Sequence, residues 1–166
     1  MSKRSTATVR EQPVAQVTSV SGAFQIRGET FTIETRTRTE IVDLTERVMA
    51  LVRKLGVREG LVHVFSMHTT CTLFLNEYQH ALVDDIQSYL ARVVPADGPW
   101  RHNDPAHSDC DRMNADSHLR ALLLGHSLTL QVSGGEVVLG TWQRVLLAEL
   151  DGPRVRSLRL QVQGIE

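Results

Sequence analysis

All seven histidines of this chain fall between His63 and His126, less than half of its 166 residues. Imidazole is both a neutral metal ligand and a group that exchanges protons near neutral pH, so this crowding marks where chemistry belongs. His68 ends an apolar run and precedes Thr69 and Thr70. At the rim of a sheet those two hydroxyls can donate to an anion. The alternative for His68 is a core histidine bonded to a backbone carbonyl. Asn76 and Glu77 follow the next apolar run, where a carboxylate beside an amide suits a general base, a metal ligand or a group that orients one. Equally, Asn76 caps the helix that follows. His102, His107 and Cys110 share one polar loop whose composition resembles a zinc site, although loops carry histidine freely. Asn114 and His118 are four apart on one helix face, with His118 at the edge of the buried side. None of these spacings matches H-E-x-x-H or C-x-x-C.

Other polar residues read more simply. His63 is a structural strand residue, His80 a surface one, and Cys71 a small core residue rather than a nucleophile. The run Leu139-Gly140-Thr141-Trp142-Gln143 is unusual for a strand. Gly140 admits close backbone approach, and Trp142 and Gln143 offer a flat apolar face and an amide. Glu149, Arg154 and Arg156 come next; their plainest reading is a β-bulge with a surface ion pair.

The elements that position these residues follow from periodicity. Alternation from Val14 to Thr37, punctuated by Gly28, predicts two strands joined by a turn. Thr39 opens a helix with Ile41, Leu44, Val48, Leu51, Val52 and Leu55 on one face and Gly56 as its left-handed cap. Residues 61–67 are a buried strand, and 71–75 continue or pair with it. A helix over 78–93 turns Tyr78, Leu82, Ile86, Tyr89 and Val93 inward. Residues 95–113 form a long polar loop, of a length that is usually functional or disordered. Asn114 N-caps a short helix that ends at Gly125. Then come a strand over 127–132, a Gly134-Gly135 hairpin and a strand over 137–150. A turn at Asp151-Gly152-Pro153 leads to a last strand over 155–163, whose inward residues are Val155, Leu158, Leu160 and Val162, with one slip near Ser157. The expected class is α+β: a mostly antiparallel sheet covered by about three helices.

Composition narrows the function classes. A net charge of −1, from 18 Lys and Arg against 19 Asp and Glu, leaves no basic footprint for nucleic acid or an anionic membrane. Only Lys3 and Lys54 among those 18 cations are lysine. Arginine suits bidentate phosphate or carboxylate contacts, though a GC-rich genome gives the same bias. Two cysteines are too few for a disulfide framework and read as cytosolic thiols. No apolar run approaches a membrane helix in length. Residues 1–13 carry no apolar signal segment and read as a flexible leader, with 14–166 as one domain.

Taken together, His68-Thr69-Thr70, Asn76-Glu77, the histidine-bearing loop, Asn114 to Leu119, the run Leu139 to Gln143, Glu149 and Asp151 to Arg156 resemble the YjbQ family over about residues 20–164. Cys71-Thr72 stand where that family usually carries small alanines. The resemblance implies a compact α+β fold assembled as a homotrimer. It also implies a secondary thiamine-phosphate synthase activity, which joins a pyrimidine pyrophosphate to a thiazole phosphate and releases pyrophosphate. By the same resemblance His68, His102 and His118 are the metal-binding histidines, with His107 or Cys110 able to replace His102. Asn76, Glu77 and Gln143 surround them as catalytic groups beside His68. Thr69, Thr70, Trp142, Arg154 and Arg156 are the expected contacts to a small phosphorylated substrate. Histidine ligands suit zinc or another transition metal better than Mg²⁺. A metal-dependent hydrolase or lyase, or a non-catalytic trimeric binder of metal or small ligand, accounts for the same residues.

Overall fold

A computed structural model of the chain describes residues 19–166. The proposed leader, residues 1–13, lies outside them, as does the beginning of the first predicted strand. The architecture is α+β in three layers. A five-stranded antiparallel sheet runs in the order β1 (Phe24–Glu34), β8 (Val155–Ile165), β3 (Glu59–Ser66), β5 (Ser127–Ser133), β6 (Glu136–Val137). A three-stranded antiparallel sheet places β7 (Arg144–Glu149) between β2 (Glu40–Asp43) and β4 (Cys71–Asn76). Three helices, α1 (Thr45–Leu55), α2 (His80–Val93) and α3 (Ala115–Leu124), complete it.

β7 explains the layering. Its residues Val145 to Glu149 are all buried, because the strand is covered on both faces. Val145 and Leu147 meet Val62, Val64, Leu158 and Leu160 of the larger sheet, with Val48 and Val52 of α1, in one apolar core. Leu146 and Ala148 turn the other way, to Leu90 of α2 and Ala121 of α3. A strand buried on both faces reads as a continuous apolar run, which is why residues 145–150 show no alternation.

Several expectations change. β1 is one uninterrupted strand through Gly28, which pairs with Gln161 of β8. A Cβ on Gly28 would come within 2.9 Å of the Arg159 guanidinium, so this glycine admits a crossing side chain and makes no turn. Residues 40–43 are strand, and the first helix begins at Thr45, with Ile41 buried in the second core. Gly56 does cap α1 in the left-handed region, at φ 74°. β4 pairs with β7 and not with β3. Tyr78, Tyr89 and Val93 are exposed; Val83, Ile86 and Leu90 carry the buried face of α2. The predicted strand over 137–150 is two strands with a turn between them. In β8, Arg156 is buried and Val155 exposed, so the inward set is Arg156, Leu158, Leu160 and Val162 with no slip.

Candidate functional site

The inward turn of Arg156 places the site. Glu149 at the end of β7 and Arg156 at the start of β8 meet between the two sheets, with side chains 0% and 3% exposed. Both oxygens of Glu149 are fully engaged. Oε1 accepts the backbone N–H groups of Leu150 (2.9 Å) and Asp151 (2.8 Å) and one from Arg156 Nη2. Oε2 accepts from Arg156 Nε at 2.6 Å and from the Thr35 hydroxyl at 3.0 Å. Burial favours the neutral acid, but the Arg156 hydrogen bonds and charge outweigh it and hold Glu149 below the ordinary carboxylate range. Arg156 Nη2 also donates to the Thr70 hydroxyl at 3.0 Å. Thr70 is thus fixed from below, while Thr69 beside it is exposed.

Two residues further on, the turn after β7 delivers a second buried carboxylate, Asp151. Its Oδ2 accepts from Arg112 Nε (3.0 Å), Asn114 Nδ2 (2.9 Å) and Arg154 Nη2 (3.2 Å). Burial again opposes charge, and the Arg112 and Asn114 donors override it and keep Asp151 ionised. Asn114 therefore braces the site and does not cap α3 through its side chain. That task falls to Asn103, whose Oδ1 accepts the Ala115 N–H at 2.9 Å and ties the long loop to the helix.

Above this base lie the histidines. His68, His102 and His118 line one cavity of about 420 Å³, together with Thr69, Thr70, Cys110, Arg112, Asn114, Asp151, Arg154 and Arg156. His68 Nε2 accepts the backbone N–H of Ser157 at 2.7 Å. That bond requires a lone pair on Nε2 and puts the proton of the neutral ring on Nδ1. Burial, then the neighbouring Arg156 charge, hold His68 below its ordinary pKa. His102 sits on a 3₁₀ turn, Arg101–Asn103, and His118 on α3. Their rings are 5.2 Å apart and nearly perpendicular, at 86°. Burial, then the charge of His102, depress the pKa of His118. Three guanidinium groups, of Arg112, Arg154 and Arg156, thus stand at the cavity against the two carboxylates of Glu149 and Asp151. A small anion is the natural guest of such a field.

The expected three-histidine metal centre does not form within one chain. Among the described residues no three His, Cys, Asp or Glu side chains converge to hold a metal ion. A ligating imidazole must aim a free lone pair at the metal, and Nε2 of His68 is committed to β8. His107 bonds to Asp104 at 2.8 Å and is not among the cavity's lining residues. Glu149 and Arg156 are a buried bridge between sheets and no surface pair on a bulge.

Asn76, Glu77, Trp142 and Gln143 lie elsewhere in the protomer. In the β4–β7 ladder Cys71 is opposite Glu149, whereas Asn76 is opposite Arg144. Five strand residues, about 17 Å, therefore separate the two ends. Gln143 fastens its own turn: Oε1 accepts the Gly140 N–H at 2.8 Å, and its backbone N–H donates to Gly140 O at 3.0 Å. Asn76 Oδ1 accepts the Glu77 N–H at 2.9 Å, and Trp142 is 45% exposed.

Arg112 and Asp151 are site residues to which the sequence reading gave no individual role, whereas Asn114, paired there with His118, does reach the site and braces Asp151. One signal was present, because acidic residues at 149 and 151 interrupt an otherwise apolar run and must find cations when buried.

The family model for the "UPF0047 protein YjbQ-like" proteins matches residues 29–165. A UPF0047 protein of Methanothermobacter thermautotrophicus is 44% identical over 132 residues, covering 80% of this chain and 88% of that protein. UPF0047 protein YjbQ of Escherichia coli O157:H7 is 32% identical, covering 73% and 85%. Among solved structures, a protein of unknown function from Sulfolobus solfataricus aligns with a TM-score of 0.80 at 31% identity, covering 86% of this chain and 99% of that one. A hypothetical protein from Aeropyrum pernix aligns at 0.76 and 35%, covering 83% and 98%. On this agreement of family model, relatives and fold, the chain belongs to the YjbQ-like UPF0047 family.

Proposed function

We propose that this protein is an enzyme acting on a small phosphorylated substrate in the cavity shared by His68, His102 and His118. The observation that carries the reading is three arginines anchored on two buried carboxylates beside a histidine pair, all lining or underlying one cavity. Anchored guanidiniums lose little freedom on meeting a phosphate and need no reorganisation as charge develops on it. Thr69 adds an exposed hydroxyl. Burial and the charge of His102 hold His118 below its ordinary pKa, and it stands beside that second imidazole, which suits it to accept a proton at Nδ1 or Nε2.

The thiamine-phosphate synthase reaction is the specific candidate. In it the bond between the pyrimidine methylene carbon and the pyrophosphate oxygen breaks. The thiazole nitrogen supplies the electron pair for the new carbon–nitrogen bond, and pyrophosphate leaves. Arg154 and Arg112 would stabilise the departing anion. No step is assigned to a metal, since the three histidines do not fit one within a single chain. We also infer self-association as a homotrimer, supported by Phe24, Ile26, Leu61 and Phe65 exposed on the outer face of the larger sheet. A cytosolic setting is supported by the unpaired Cys71 and Cys110. No helix among the described residues is long and apolar enough to cross a membrane.

The test supplies both thiamine precursors and follows thiamine phosphate and pyrophosphate, with wild type, His118→Ala and Arg154→Gln, each with and without chelator. Equimolar products that fall at least about tenfold in both variants support the reading. Unchanged turnover in both variants refutes it. Phosphate binding without product in any sample favours the non-catalytic binder, and loss with chelator alone restores a metal to the mechanism.

A further inference from the structure

The pair His102 and His118 is a shared wall. On one side lies the arginine-rich cavity; on the other is a second cavity of about 390 Å³ lined by Trp100, Arg101, Ala115 and Leu119. Apart from Arg101, its walls are an indole, a methyl, an isobutyl group and the two imidazoles. The indole is fixed in place. Its Nε1–H donates to Pro95 O at 2.8 Å. The ring lies so close over Gly98 that a Cβ there would come within 2.4 Å of it. The Asn103 N–H bonds to Trp100 O at 3.0 Å, and Asn103 in turn holds the first residue of α3. A rigid half-buried aromatic wall already ordered in the free protein costs little entropy on meeting a flat partner.

We propose that this second cavity is a ring subsite, so that the substrate is a planar aromatic group joined to a phosphate by a short link. The ring rests against Trp100 and Leu119 and the phosphate sits among Arg112, Arg154 and Arg156, with the link crossing the edge of His102 and His118. The proposal rests on the phosphorylated-substrate reading above and extends it to residues outside the arginine cavity. It places the two imidazoles beside the atoms between ring and phosphate, where a bond to a phosphate leaving group would break.

Calorimetric titration of the full chain with methyl phosphate and with benzyl phosphate separates the two halves. Benzyl phosphate is expected to bind at least about tenfold more tightly than methyl phosphate. In a Trp142→Phe background, where Trp100 is the one remaining indole, benzyl phosphate should quench its emission and methyl phosphate should not. Trp100→Ala should bring the two affinities within about twofold and leave that for methyl phosphate in place. Leu119→Ala, which does not disturb the Trp100 loop, should narrow the gap in the same direction. Equal affinities in the wild type overturn the ring subsite and leave the anion reading standing. A preference that survives both variants overturns it too. Failure of both esters to bind removes the anion reading and the subsite with it. Trp100 emission that follows protein concentration and ignores benzyl phosphate assigns the cavity to a second copy of the chain, against the proposal.

Discussion

Replacing Glu149 by Gln keeps the volume and one carbonyl oxygen but removes the carboxylate paired with a guanidinium of 3% side-chain exposure. Gln can still accept the Leu150 and Asp151 amides, so the backbone there stays satisfied. What remains is the Arg156 charge facing an amide N–H₂ in the interior. Breaking a buried ion pair from one side costs about 3–5 kcal/mol, mostly the penalty of the stranded charge. For a chain of this size each kcal/mol moves the melting temperature by about 2–4 °C, so the expected fall is about 6–20 °C. Urea unfolding followed by circular dichroism gives the free energy directly. Glu149→Gln with Arg156→Met should be less unstable than the two single losses added together, because the double variant strands no charge. Arg156→Met alone should also reverse a pH dependence. In the wild type the depressed Glu149 pKa contributes stability that is present above the unfolded value, about 4.3, and lost as pH falls through the folded one. Without Arg156, burial dominates and raises that pKa, so stability falls as pH rises from about 4.3. A loss below about 1 kcal/mol for Glu149→Gln, the range of a solvent-screened surface pair, would refute the account of this bridge.

Two further outcomes follow from the histidines and thiols. NMR titration should place the midpoints of His68 and His118 below about 6.5, and His102→Ala should move His118 upward toward that value. Both depressed values mean that stability is complete above about 6.5 and declines as pH falls through the folded midpoints, with the opposite trend counting against the assignment. Burial pushes the Cys71 thiol up to about 11, so a thiol reagent at neutral pH should modify Cys110 in the native protein and reach Cys71 only on unfolding.

Much of the fold is legible in the sequence, because it rests on periodicity that survives packing. The face of α1 from Val48 to Val52, the Gly134-Gly135 hairpin and the inward leucines of β8 follow from spacing alone. Errors collect where a residue's partner is distant in sequence. Arg156 reads as an outward residue until Glu149 is opposite it, and Gly28 reads as a turn until Arg159 crosses it. Likewise the grouping of Asn76, Glu77 and Gln143 with His68 rests on both groups lying at strand ends. Only the register of β4 against β7 reveals that they are opposite ends of one strand pair. Chemistry-bearing residues were found by type; their convergence depends on non-local pairing that spacing does not encode.

The construction of the cavity from two kinds of chain has a dynamic consequence. Its base uses amides where the sheets end: Leu150 N–H, just past β7, to Thr70 O at 3.1 Å and Ser157 N–H of β8 to His68 Nε2 at 2.7 Å. Its outer side is the loop through Trp100 and His102, held to α3 by Asn103 and to the base by Arg112. Amide hydrogen exchange at Leu150 and Ser157 should therefore require opening of the whole molecule, while the amides of the loop exchange by a smaller excursion of their own. A phosphorylated guest of the kind proposed would enter and leave through that excursion with the sheets intact, and would slow exchange on one side of the cavity only.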